Sequence, residues 1–566
     1  MNKNKINMIN IEKVKTKLRE LIKGTIFENK VYLVGGCIRD TLLGLPVKDV
    51  DLIVDLPNGG VLLSEMMESN HPEISDGYNI FERYGTARFN LLVDSSEWVE
   101  IECVMPRVEE YLDGSRNPIN VEYASLGLDA SRRDFCCNAL YQNIMNDEVL
   151  DPTGRGLIDL HDKVLMCPLE PKVTFYDDPL RAFRAVRFSC QKGFDISGVV
   201  LEAIRVVPKS QIDGVSIERV KDEFNKILMS QDPINGIIQL IDLGLMKYIS
   251  PEFLENWNFD QRNPHHSLTS GKHSLMVLEK AITDYPDSSL EVRLSCLFHD
   301  ISKAFRNEKK DDLNMPDGYK LTYHGHEIWS AEMSSDILKR LKYSNDIIEK
   351  VHFLIINHMK IKSWITPDNH FRSTAKQIRK IVRELGDDLR DCMILIDSDN
   401  KSHAPSCCMP SQVTEFWDAM KNTTLIPTSS RKYNIPLNGN DIMSIFNIPS
   451  GPQIKSILTK LQDWYDEDPS LSKENLIEML RSVWKSEIYY PNNTPELREW
   501  LKLQGLTPVT YPDCDRPGLI APYPNCEGKM IMYSDGVRYE TDDDFWEFIM
   551  VETEEEFKKL ILDRLK

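Results

Sequence analysis

The stretch VYLVGGCIRDTLLGLPVKDVDLIV, residues 31–54, decides the fold of the first part of this chain of 566 residues. Its short apolar run ends in two glycines, a helical segment with Arg39 follows, and a second apolar run contains Asp49 and Asp51. Side chains two positions apart share one face of a strand, so both carboxylates are predicted to point the same way and to bind Mg²⁺. The glycines allow close approach of the backbone to a phosphate, and the helix start and Arg39 add positive charge. This stretch therefore predicts a site for a nucleoside triphosphate with its magnesium ion.

Two later segments extend the strand pattern. ARFNLLVD at 87–94 and WVEIECV at 98–104 are predicted as paired strands joined by the turn DSSE. Glu100 and Glu102 share one face of the second strand, which offers a third carboxylate. From about residue 175, apolar residues recur at three and four positions, which predicts helices. The expected fold class is α+β: a small mixed sheet with helices packed against it, then mostly helical domains.

Composition limits the classes of protein that fit. The chain is 41% hydrophobic and 28% charged, which is ordinary for a globular protein, and its length predicts three or more domains. No apolar run is long enough to span a membrane, and the charged N-terminus lacks the apolar core of a signal peptide. Twelve cysteines without a CxxC motif favour reduced thiols, and hence a cytoplasmic location. The net charge of −20 requires any nucleic acid to bind a local basic patch.

The opening stretch resembles the signature GGx(V/I)RDxLLGxxxxDxD of the class II tRNA nucleotidyltransferase and poly(A) polymerase family, and every fixed position of that signature is present. Four later segments resemble further motifs of the family: ASRRDFCCNALY (130–141), DPTGRGLIDL (151–160), FYDDPLRAFRAVRF (175–188) and IERVKDEFNKIL (217–228).

The resemblance implies template-independent addition of CCA to tRNA 3′ ends from CTP and ATP. Asp49 and Asp51 would be the catalytic residues that bind Mg²⁺, with Glu102 as a third catalytic carboxylate. Asp178 and Arg181, in the segment FYDDPLRAFRAVRF, would form an amino-acid template for the incoming base. The implied nucleotide-binding residues are Gly35, Gly36, Arg39, Arg133, Asp134, Asp178, Arg181, Arg184 and Arg187.

A second constellation comprises GKHSLMVL, CLFHDISKAF and YHGHEIW, in which His324 and His326 follow the predicted helices that carry the earlier histidines. A His-Asp pair inside an apolar helix needs a partner for its charge, and a divalent cation is a suitable one. The pattern resembles the HD phosphohydrolase domain, with Lys303 at the position of its HDxxK extension. That resemblance implies a divalent transition metal and hydrolysis of phosphate monoesters or cyclic phosphates. The implied metal ligands are His273, His299, Asp300 and Asp399, with Asp397 as the alternative to Asp399.

A further segment, at 435–469, resembles the C-terminal helical unit of the same family. The predicted division is a nucleotidyltransferase head at 1–150, a helical neck and body with the base-recognition helix at 151–250, an HD domain at 251–405, a helical unit at 406–488 and an acidic extension at 489–566.

Two alternatives stay open at this point. A poly(A) polymerase, or an enzyme that adds only CC or only A, would share the head motifs. An HD phosphohydrolase whose head only binds RNA is the alternative of another class. The intact pair of Asp49 and Asp51 disfavours the second alternative, because a head that merely binds RNA does not need both carboxylates.

Overall fold

The computed structural model contains two compact units, Met1–Asn369 with Arg390–Val413 and His370–Leu389 with Thr414–Lys566. Most of the acidic extension predicted at 489–566 lies outside the described residues. The described residues are 9–81, 85–110, 120–313, 315, 317–364, 372–424, 435–446, 450–490, 499, 503, 509–510, 519–521, 540–541 and 544–550.

The head occupies the first part of the first unit and consists of short strands with helices between them. Its elements are α1 (Ile11–Ile22), β1 (Val31–Val34), α2 (Gly36–Leu42), β2 (Val50–Val54), α3 (Gly59–Asn70), β3 (Ser75–Phe81), β4 (Thr86–Leu92), β5 (Trp98–Val104), β6 (Arg107–Glu110), β7 (Asn120–Tyr123), α4 (Leu126–Ser131), β8 (Tyr141–Asn143) and β9 (Val149–Leu150).

Seven of these strands form one sheet in the order β3-β4-β5-β2-β1-β8-β9. β2 and β5 are parallel, and the other neighbouring pairs in this sheet are antiparallel, so the sheet is mixed as predicted. The predicted hairpin is β4 with β5. All four residues of β1 are buried, because its apolar run lies in the middle of the sheet.

Helix α3 begins directly against β2 and β5. A Cβ on Gly59 would lie 2.5 Å from the carbonyl oxygen of Val54, and a Cβ on Gly60 would lie 2.5 Å from that of Cys103. Cys103 also points its Sγ to the carbonyl oxygen of Gly60, at 3.1 Å. The neighbouring Glu102 therefore faces the opposite side of the sheet, because successive side chains alternate.

The remainder is mostly helical, as predicted. In chain order it contains α5 (Gly156–Asp162), β10 (Val164–Leu165), α6 (Pro171–Asp177), α7 (Leu180–Lys192), β11 (Asp195–Ile196), α8 (Gly198–Arg205), α9 (Lys209–Asp213), α10 (Ile217–Leu228), α11 (Pro233–Asp242), α12 (Pro251–Trp257), α13 (Ser270–Asp284), α14 (Leu290–Phe298), β12 (Glu308–Asp311), β13 (Tyr319–Thr322), α15 (His326–Arg340), α16 (Asn345–Asn357), α17 (Ala375–Leu385), α18 (Leu389–Lys401), α19 (Gln412–Lys421), α20 (Gly439–Phe446), α21 (Pro452–Glu467), α22 (Lys473–Val483), β14 (Trp484–Tyr490), β15 (Val509–Thr510), β16 (Leu519–Ala521), β17 (Glu540–Thr541) and β18 (Asp544–Met550).

Helix α7 carries the arginines of the predicted base-recognition segment. It ends at Gly193, whose φ of 69° is left-handed and favours glycine. In the second unit, α20, α21 and α22 pack around a cluster that includes Ile442, Ile457 and Leu476. This part of the chain is therefore helical, as expected from the sequence. Over the described residues, no helix is both long and apolar enough to cross a membrane.

One prediction about local structure is wrong. His299 and Asp300 are not inside a helix, because α14 ends at Phe298 and His299 is its C-cap residue. The backbone then continues as tighter turns, in which Ile301 N donates to Phe298 O at 3.1 Å and Lys303 N to Asp300 O at 3.1 Å. Such short-range bonds satisfy the last carbonyl groups of a helix as it ends.

Candidate active sites

Three carboxylates lie at β2 and β5 of the head. Asp49 directly precedes β2 and is exposed, whereas Asp51 lies within it and is half-buried. The parallel register places Asp51 opposite Glu102, and the antiparallel register of β4 places Arg88 on the other side of Glu102. Arg88 donates to Glu102 Oε2 at 2.8 Å from Nε and 2.6 Å from Nη2. Asp51 and Glu102 therefore belong to one row across the sheet, followed by Arg88, whereas Asp49 lies just outside the strand.

Negative charge is concentrated at Asp51. Burial is the main cause that raises the pKa of Asp51 to about 6, and repulsion from Glu102 and Asp49 adds to it, while Arg133 acts in the opposite direction. A bound cation would relieve this repulsion, and carboxylate oxygens are ligands that Mg²⁺ prefers. The residues of the head therefore fit magnesium. Among the described residues, however, ligand atoms of three residues lie within 4.8 Å of one another only in the HD part of the chain.

The turn between β1 and α2 forms another edge of this site. Gly35 has a φ of 70°, a left-handed conformation that favours glycine, and α2 begins at Gly36. A Cβ on Gly35 would lie 3.7 Å from Asp51 Oδ2 and 3.6 Å from Arg133 Nη1. The absence of a side chain at this position leaves open space between a carboxylate and a guanidinium group.

Arg133 is held in place by Asp129, which is fully buried. Asp129 Oδ2 accepts hydrogen bonds from Arg133 Nε at 3.0 Å and Nη2 at 2.9 Å, and from the Tyr141 hydroxyl at 2.8 Å. Burial acts to raise the pKa of Asp129, but the guanidinium groups of Arg133 and Arg132 outweigh it and lower that pKa. The sequence motifs do not single out Asp129, although its position four residues before Arg133 on a helix is a usable signal.

A chain of hydrogen bonds connects Arg39 to Arg184. Arg39 Nη1 donates to Asn138 Oδ1 at 2.7 Å, and Asn138 Nδ2 donates to Asp134 Oδ1 at 2.9 Å. Arg184 donates to Asp134 Oδ2 at 2.8 Å from Nε and 2.5 Å from Nη2. Burial opposes the charge of Asp134, yet Arg184 and Asn138 lower its pKa. Asp134 is thus engaged with protein groups, and it orients an arginine.

Three predicted nucleotide-binding arginines surround one aromatic ring. The guanidinium carbons of Arg39, Arg184 and Arg187 lie 4.8, 5.6 and 4.1 Å from the ring centroid of Phe188. These are cation–π distances. Arg187 also donates from Nε to Glu223 Oε2 at 2.5 Å. Three positively charged groups therefore lie close to the Phe188 ring of α7.

The predicted template pair lies at the start of α7. Asp178 Oδ2 accepts from Arg219 Nη2 at 3.0 Å. Arg181 donates to the carbonyl oxygens of Thr174 at 3.2 Å and Arg132 at 2.6 Å. Both residues are therefore oriented by other parts of the protein, and their role in base selection stays a prediction.

The second predicted site is a cluster of buried side chains from α13, α18 and the turn after α14. His273 Nε2 lies 3.0 Å from Asp399 Oδ1 and 3.6 Å from Asp300 Oδ2. His299 Nε2 lies 3.3 Å from Asp300 Oδ2 and 3.7 Å from Asp399 Oδ1. The structure thus brings all four predicted ligands together. The alternative residue, Asp397, faces Lys401 Nζ at 2.6 Å.

These four residues fit a divalent metal ion. Ligands at about 2.1 Å from a tetrahedral ion are about 3.4 Å apart, close to the spacings of these atoms. His299 Nδ1 donates to Cys296 O at 3.0 Å, so Nε2 is the ring nitrogen that faces the carboxylates of Asp300 and Asp399. Although burial opposes protonation, Asp300 and Asp399 raise the pKa of His299 to about 9. The cluster therefore attracts a cation, and mixed imidazole and carboxylate ligands suit a transition metal.

Two lysines bring positive charge to the same carboxylates. Lys303 Nζ lies 2.6 Å from Asp300 Oδ2, and Lys362 forms an ion pair with Asp399 Oδ2. Both lysines line a cavity of about 640 Å³ that reaches Asp300 and Asp399. A cavity of this size accepts a small organic ligand, and its lysines favour a negatively charged one.

Two histidines at this centre are absent from the predicted ligand set. His326 Nε2 lies 3.3 Å from Asp300 Oδ1, and His358 Nε2 lies 3.3 Å from His326 Nε2. Both are buried. The available signal is local, because His358 follows the apolar helix α16 just as His299 follows α14.

Family models match the parts of the chain that contain many of the predicted site residues. The model of the poly A polymerase head domain matches residues 31–166, that of a probable RNA and SrmB-binding site of polymerase A matches 193–256, and that of the HD domain matches 270–384. This chain carries a poly A polymerase head domain and an HD domain. The predicted resemblance to both is therefore confirmed.

Curated members of this nucleotidyltransferase family match much of the chain. The A-adding tRNA nucleotidyltransferase of Deinococcus radiodurans is 28% identical over 440 residues, which cover 76% of this chain and 90% of that one. The multifunctional CCA protein of an Azoarcus species is 29% identical over 319 residues, which cover 55% of this chain and 69% of that one.

Solved structures of the family share the fold. The CCA-adding enzyme of Bacillus stearothermophilus in complex with CTP covers 83% of this chain and 98% of its own, with a TM-score of 0.56 and 19% identity. The Thermotoga maritima CCA-adding enzyme complexed with tRNA covers 84% of this chain and 97% of its own, with a TM-score of 0.51 and 17% identity. At this identity the likeness supports the fold alone, and it confirms the predicted α+β class.

Proposed function

We propose that this protein adds CCA to the 3′ ends of tRNA, with CTP and ATP as substrates. One observation carries the proposal: Asp51 and Glu102 are paired across β2 and β5 beside the side-chain-free turn at Gly35 and the guanidinium group of Arg133. Carboxylates for a cation and an arginine for phosphate oxygens are what transfer of a nucleotide from a triphosphate requires.

In the proposed reaction, the terminal 3′-oxygen of the RNA attacks the α-phosphorus of the nucleotide, and pyrophosphate leaves. Asp49 and Asp51 would hold Mg²⁺, with Glu102 as a third ligand once it turns from Arg88. The cation supplies charge neutralisation at the phosphates and acidifies the attacking hydroxyl group.

The other head residues position the substrate. Arg133, fixed by Asp129, would neutralise phosphate oxygens, and Asp134 would orient Arg184 rather than touch the nucleotide. Precise placement of this kind contributes much of the rate in phosphoryl transfer. The remaining predicted contacts are those of Gly36 and Arg39 with the triphosphate and of Asp178 and Arg181 with the base. Arg187, also predicted to bind the nucleotide, is paired with Glu223 of α10 and would instead support the packing of α7 on α10.

The HD domain is proposed to hydrolyse phosphate esters with a divalent transition metal held by its four predicted ligands. The metal would polarise the phosphate and activate water. Lys303 and Lys362 would bind the phosphate oxygens, because both line the cavity next to the ligands. The division into five domains given above is part of this proposal. It assigns the nucleotidyltransferase site to the head and the metal-binding cluster to the HD domain. A cytoplasmic location is proposed as well, since the ten described cysteines are free thiols.

A second candidate is an enzyme that adds only the terminal A. The observation that favours it is the relative named as A-adding, which matches the chain over the larger share of its length. Both candidates use the same carboxylates, so they differ only in which nucleotide the site accepts.

One assay separates these functions. The protein is incubated with tRNA lacking CCA, with tRNA ending in CC and with a generic oligo-RNA, and each labelled nucleotide is supplied in turn. Two C and one A on the first tRNA support the proposal, and A on the CC-ending tRNA alone supports the A-adding candidate. Long A tails on all substrates identify a poly(A) polymerase. No incorporation, together with phosphatase activity, would leave only the hydrolase.

A further inference from the structure

Helix α10 supports the predicted base-recognition helix α7 along one of its faces. Arg219 and Glu223 are four positions apart, so their side chains share this face. Arg187 Nε of α7 donates to Glu223 Oε2 at 2.5 Å, and Gln191 Nε2 donates to Lys226 O at 3.3 Å. The position of α7 is therefore tied to that of α10.

The same face of α10 reaches Asp178, the carboxylate proposed to contact the incoming base. Arg219 Nη2 donates to Asp178 Oδ2 at 3.0 Å, and the backbone N of Leu180 donates to Asp178 Oδ1 at 3.2 Å. A hydrogen bond to each oxygen fixes the orientation of the carboxylate. Each oxygen accepts two hydrogen bonds, so both can still face a base. Arg219 therefore sets the direction in which Asp178 presents its oxygens.

The HD part of the chain contacts α10 on a second face. Glu218, Lys221 and Asn225 are three and four positions apart, and all three contact the turn that follows α15. Lys342 Nζ lies 2.5 Å from Glu218 Oε1, and Lys221 Nζ donates to Lys342 O at 3.3 Å. The Tyr343 hydroxyl donates to Asn225 Oδ1. This turn is therefore joined to α10 along two helical turns.

Two of the side chains that hold α10 are buried. Tyr343 is 7% exposed, and burial is the main cause that raises the pKa of its hydroxyl group, which therefore stays protonated as a donor. Arg293 of α14 is 5% exposed and donates from Nη1 to Leu228 O at 2.7 Å, at the last residue of α10. The elements α14 and α15 thus hold α10 at its start, its middle and its end.

The backbone at Lys342 has a conformation that usually belongs to glycine. Its φ is 57°, and Tyr343 N donates to Leu338 O at 3.0 Å, so α15 ends in the left-handed turn typical of helix C-termini. Glycine would adopt this turn without strain but would have no side chain. The lysine found there reaches Glu218 of α10 with that side chain.

We propose that the HD domain positions the base-recognition residues of the nucleotidyltransferase: the turn at Lys342 and Tyr343 holds α10, and Arg219 of α10 holds Asp178. This inference rests on the proposed addition of nucleotides and adds positioning residues to it. A hydrogen bond between a base and a carboxylate depends on direction. A shift of α10 therefore changes which base fits, whereas the carboxylates of the head that would bind magnesium stay in place.

The test measures discrimination between nucleotides by the full-length chain. The values of kcat and KM are determined for CTP and UTP on tRNA lacking CCA, and for ATP and GTP on tRNA ending in CC. Lys342→Glu places a second carboxylate beside Glu218, in an exposed pair that the fold does not need. We expect the ratio of kcat/KM for the correct and the wrong nucleotide to fall about fivefold, mainly through KM, with kcat for the correct one within about twofold of wild type. An unchanged ratio would overturn the proposal.

A rescue and a control separate positioning from a general loss of packing. Glu218→Lys added to Lys342→Glu restores an ion pair with exchanged charges and should recover most of the discrimination. Arg340→Ala is the matched control, because Arg340 also follows from α15 but pairs with Glu252 of α12 at 2.8 Å. It should leave the ratio unaltered.

The remaining outcomes are equally decisive. Tyr343→Phe, which keeps the ring and loses only the hydroxyl group, should shift the ratio in the same direction as Lys342→Glu. Equal losses in Arg340→Ala and Lys342→Glu, or no recovery in the variant with exchanged charges, would overturn the positioning role while leaving the proposed nucleotide addition intact. A wild-type chain that incorporates no nucleotide would refute the proposed nucleotide addition and this inference with it.

Discussion

The head and the HD domain offer a cation different environments. The head has carboxylates at β2 and β5, where Asp49 is exposed and Glu102 is turned to an arginine. The HD domain has imidazole and carboxylate groups, all at most 2% exposed, with spacings that match those around an ion. For the two proposed metal sites, the difference predicts that the head assembles its site around a nucleotide that brings the ion, whereas the HD site is preorganised for an ion that stays bound.

The largest effect is expected when one carboxylate oxygen of Asp51 is replaced, because this change should affect the head site and not the HD site. Asp51→Asn should reduce nucleotide incorporation by about 10³-fold or more, because the amide cannot supply a charged ligand. Phosphatase activity should be unchanged. Asp300→Asn is the reciprocal control and should abolish hydrolysis but not incorporation. Incorporation near wild type in Asp51→Asn would refute the assignment of the head metal site.

The second prediction concerns the support beneath Arg133. Asp129→Asn should lower kcat/KM for nucleotide by about 10²-fold, because a misplaced phosphate ligand costs this much. It should also destabilise the head by about 3–5 kcal/mol, since two arginines lose a buried charged partner. Tyr141→Phe removes one hydrogen bond to Asp129 and one from Arg133, keeps both charges of the ion pair, and serves as the milder control. Equal kinetics in both variants would show that Asp129 does not position Arg133.

The motifs of the head could be predicted because the residues of each motif are close together in the sequence. Gly35, Arg39, Asp49 and Asp51 lie within one short segment, and the strand pattern places Asp51 within β2 and Asp49 just before it. Asp129 and the two additional histidines could not be assigned in this way, because their roles depend on contacts that the folded chain creates. His358 touches His326 only because α16 and α15 pack together. The end of α14 at Phe298 could not be predicted from the helical pattern either, because no glycine or proline marks it.

The third prediction uses opposite pKa shifts in the same domain. The pKa of Asp51 is raised to about 6, so its native state binds more protons than the unfolded state between pH 4 and 6. The free energy of unfolding without metal therefore falls as pH rises through this window. At pH 7, Asp51→Asn should be more stable than wild type by about 1–3 kcal/mol, and the gain should vanish below about pH 4.

Asp134 provides the control of opposite sign. Its pKa is lowered, so its charge contributes stability above the unfolded pKa of about 4, and this contribution is lost as pH falls. Asp134→Asn should thus be less stable than wild type at pH 7. Denaturant melts at several pH values, with chelator present, measure both variants. Changes in the free energy of unfolding that have the same sign in both variants would show that the pKa of Asp51 is not raised in the folded protein.

The smallest effect is expected at the end of the carboxylate row. Arg88 competes with magnesium for Glu102, so Arg88→Ala should lower the Mg²⁺ concentration for half-maximal incorporation by a few-fold. Stability should change by less than about 1 kcal/mol, because the pair is solvent-exposed. Lys13→Ala removes another exposed ion pair, that with Asp94, and should leave the magnesium dependence unaltered. An unchanged midpoint in Arg88→Ala would mean that Glu102 is not a metal ligand.

The contact of α3 with the sheet has a consequence for which variants the protein tolerates. Gly60 touches the backbone of β5 on the side away from Glu102, so even one added methyl group would push the helix off the strand. Glu102 would move with the strand, and the row of Asp51 and Glu102 would lose its alignment. Random mutagenesis should therefore reveal an intolerant position at Gly60, on the side of the sheet opposite the proposed catalytic residues.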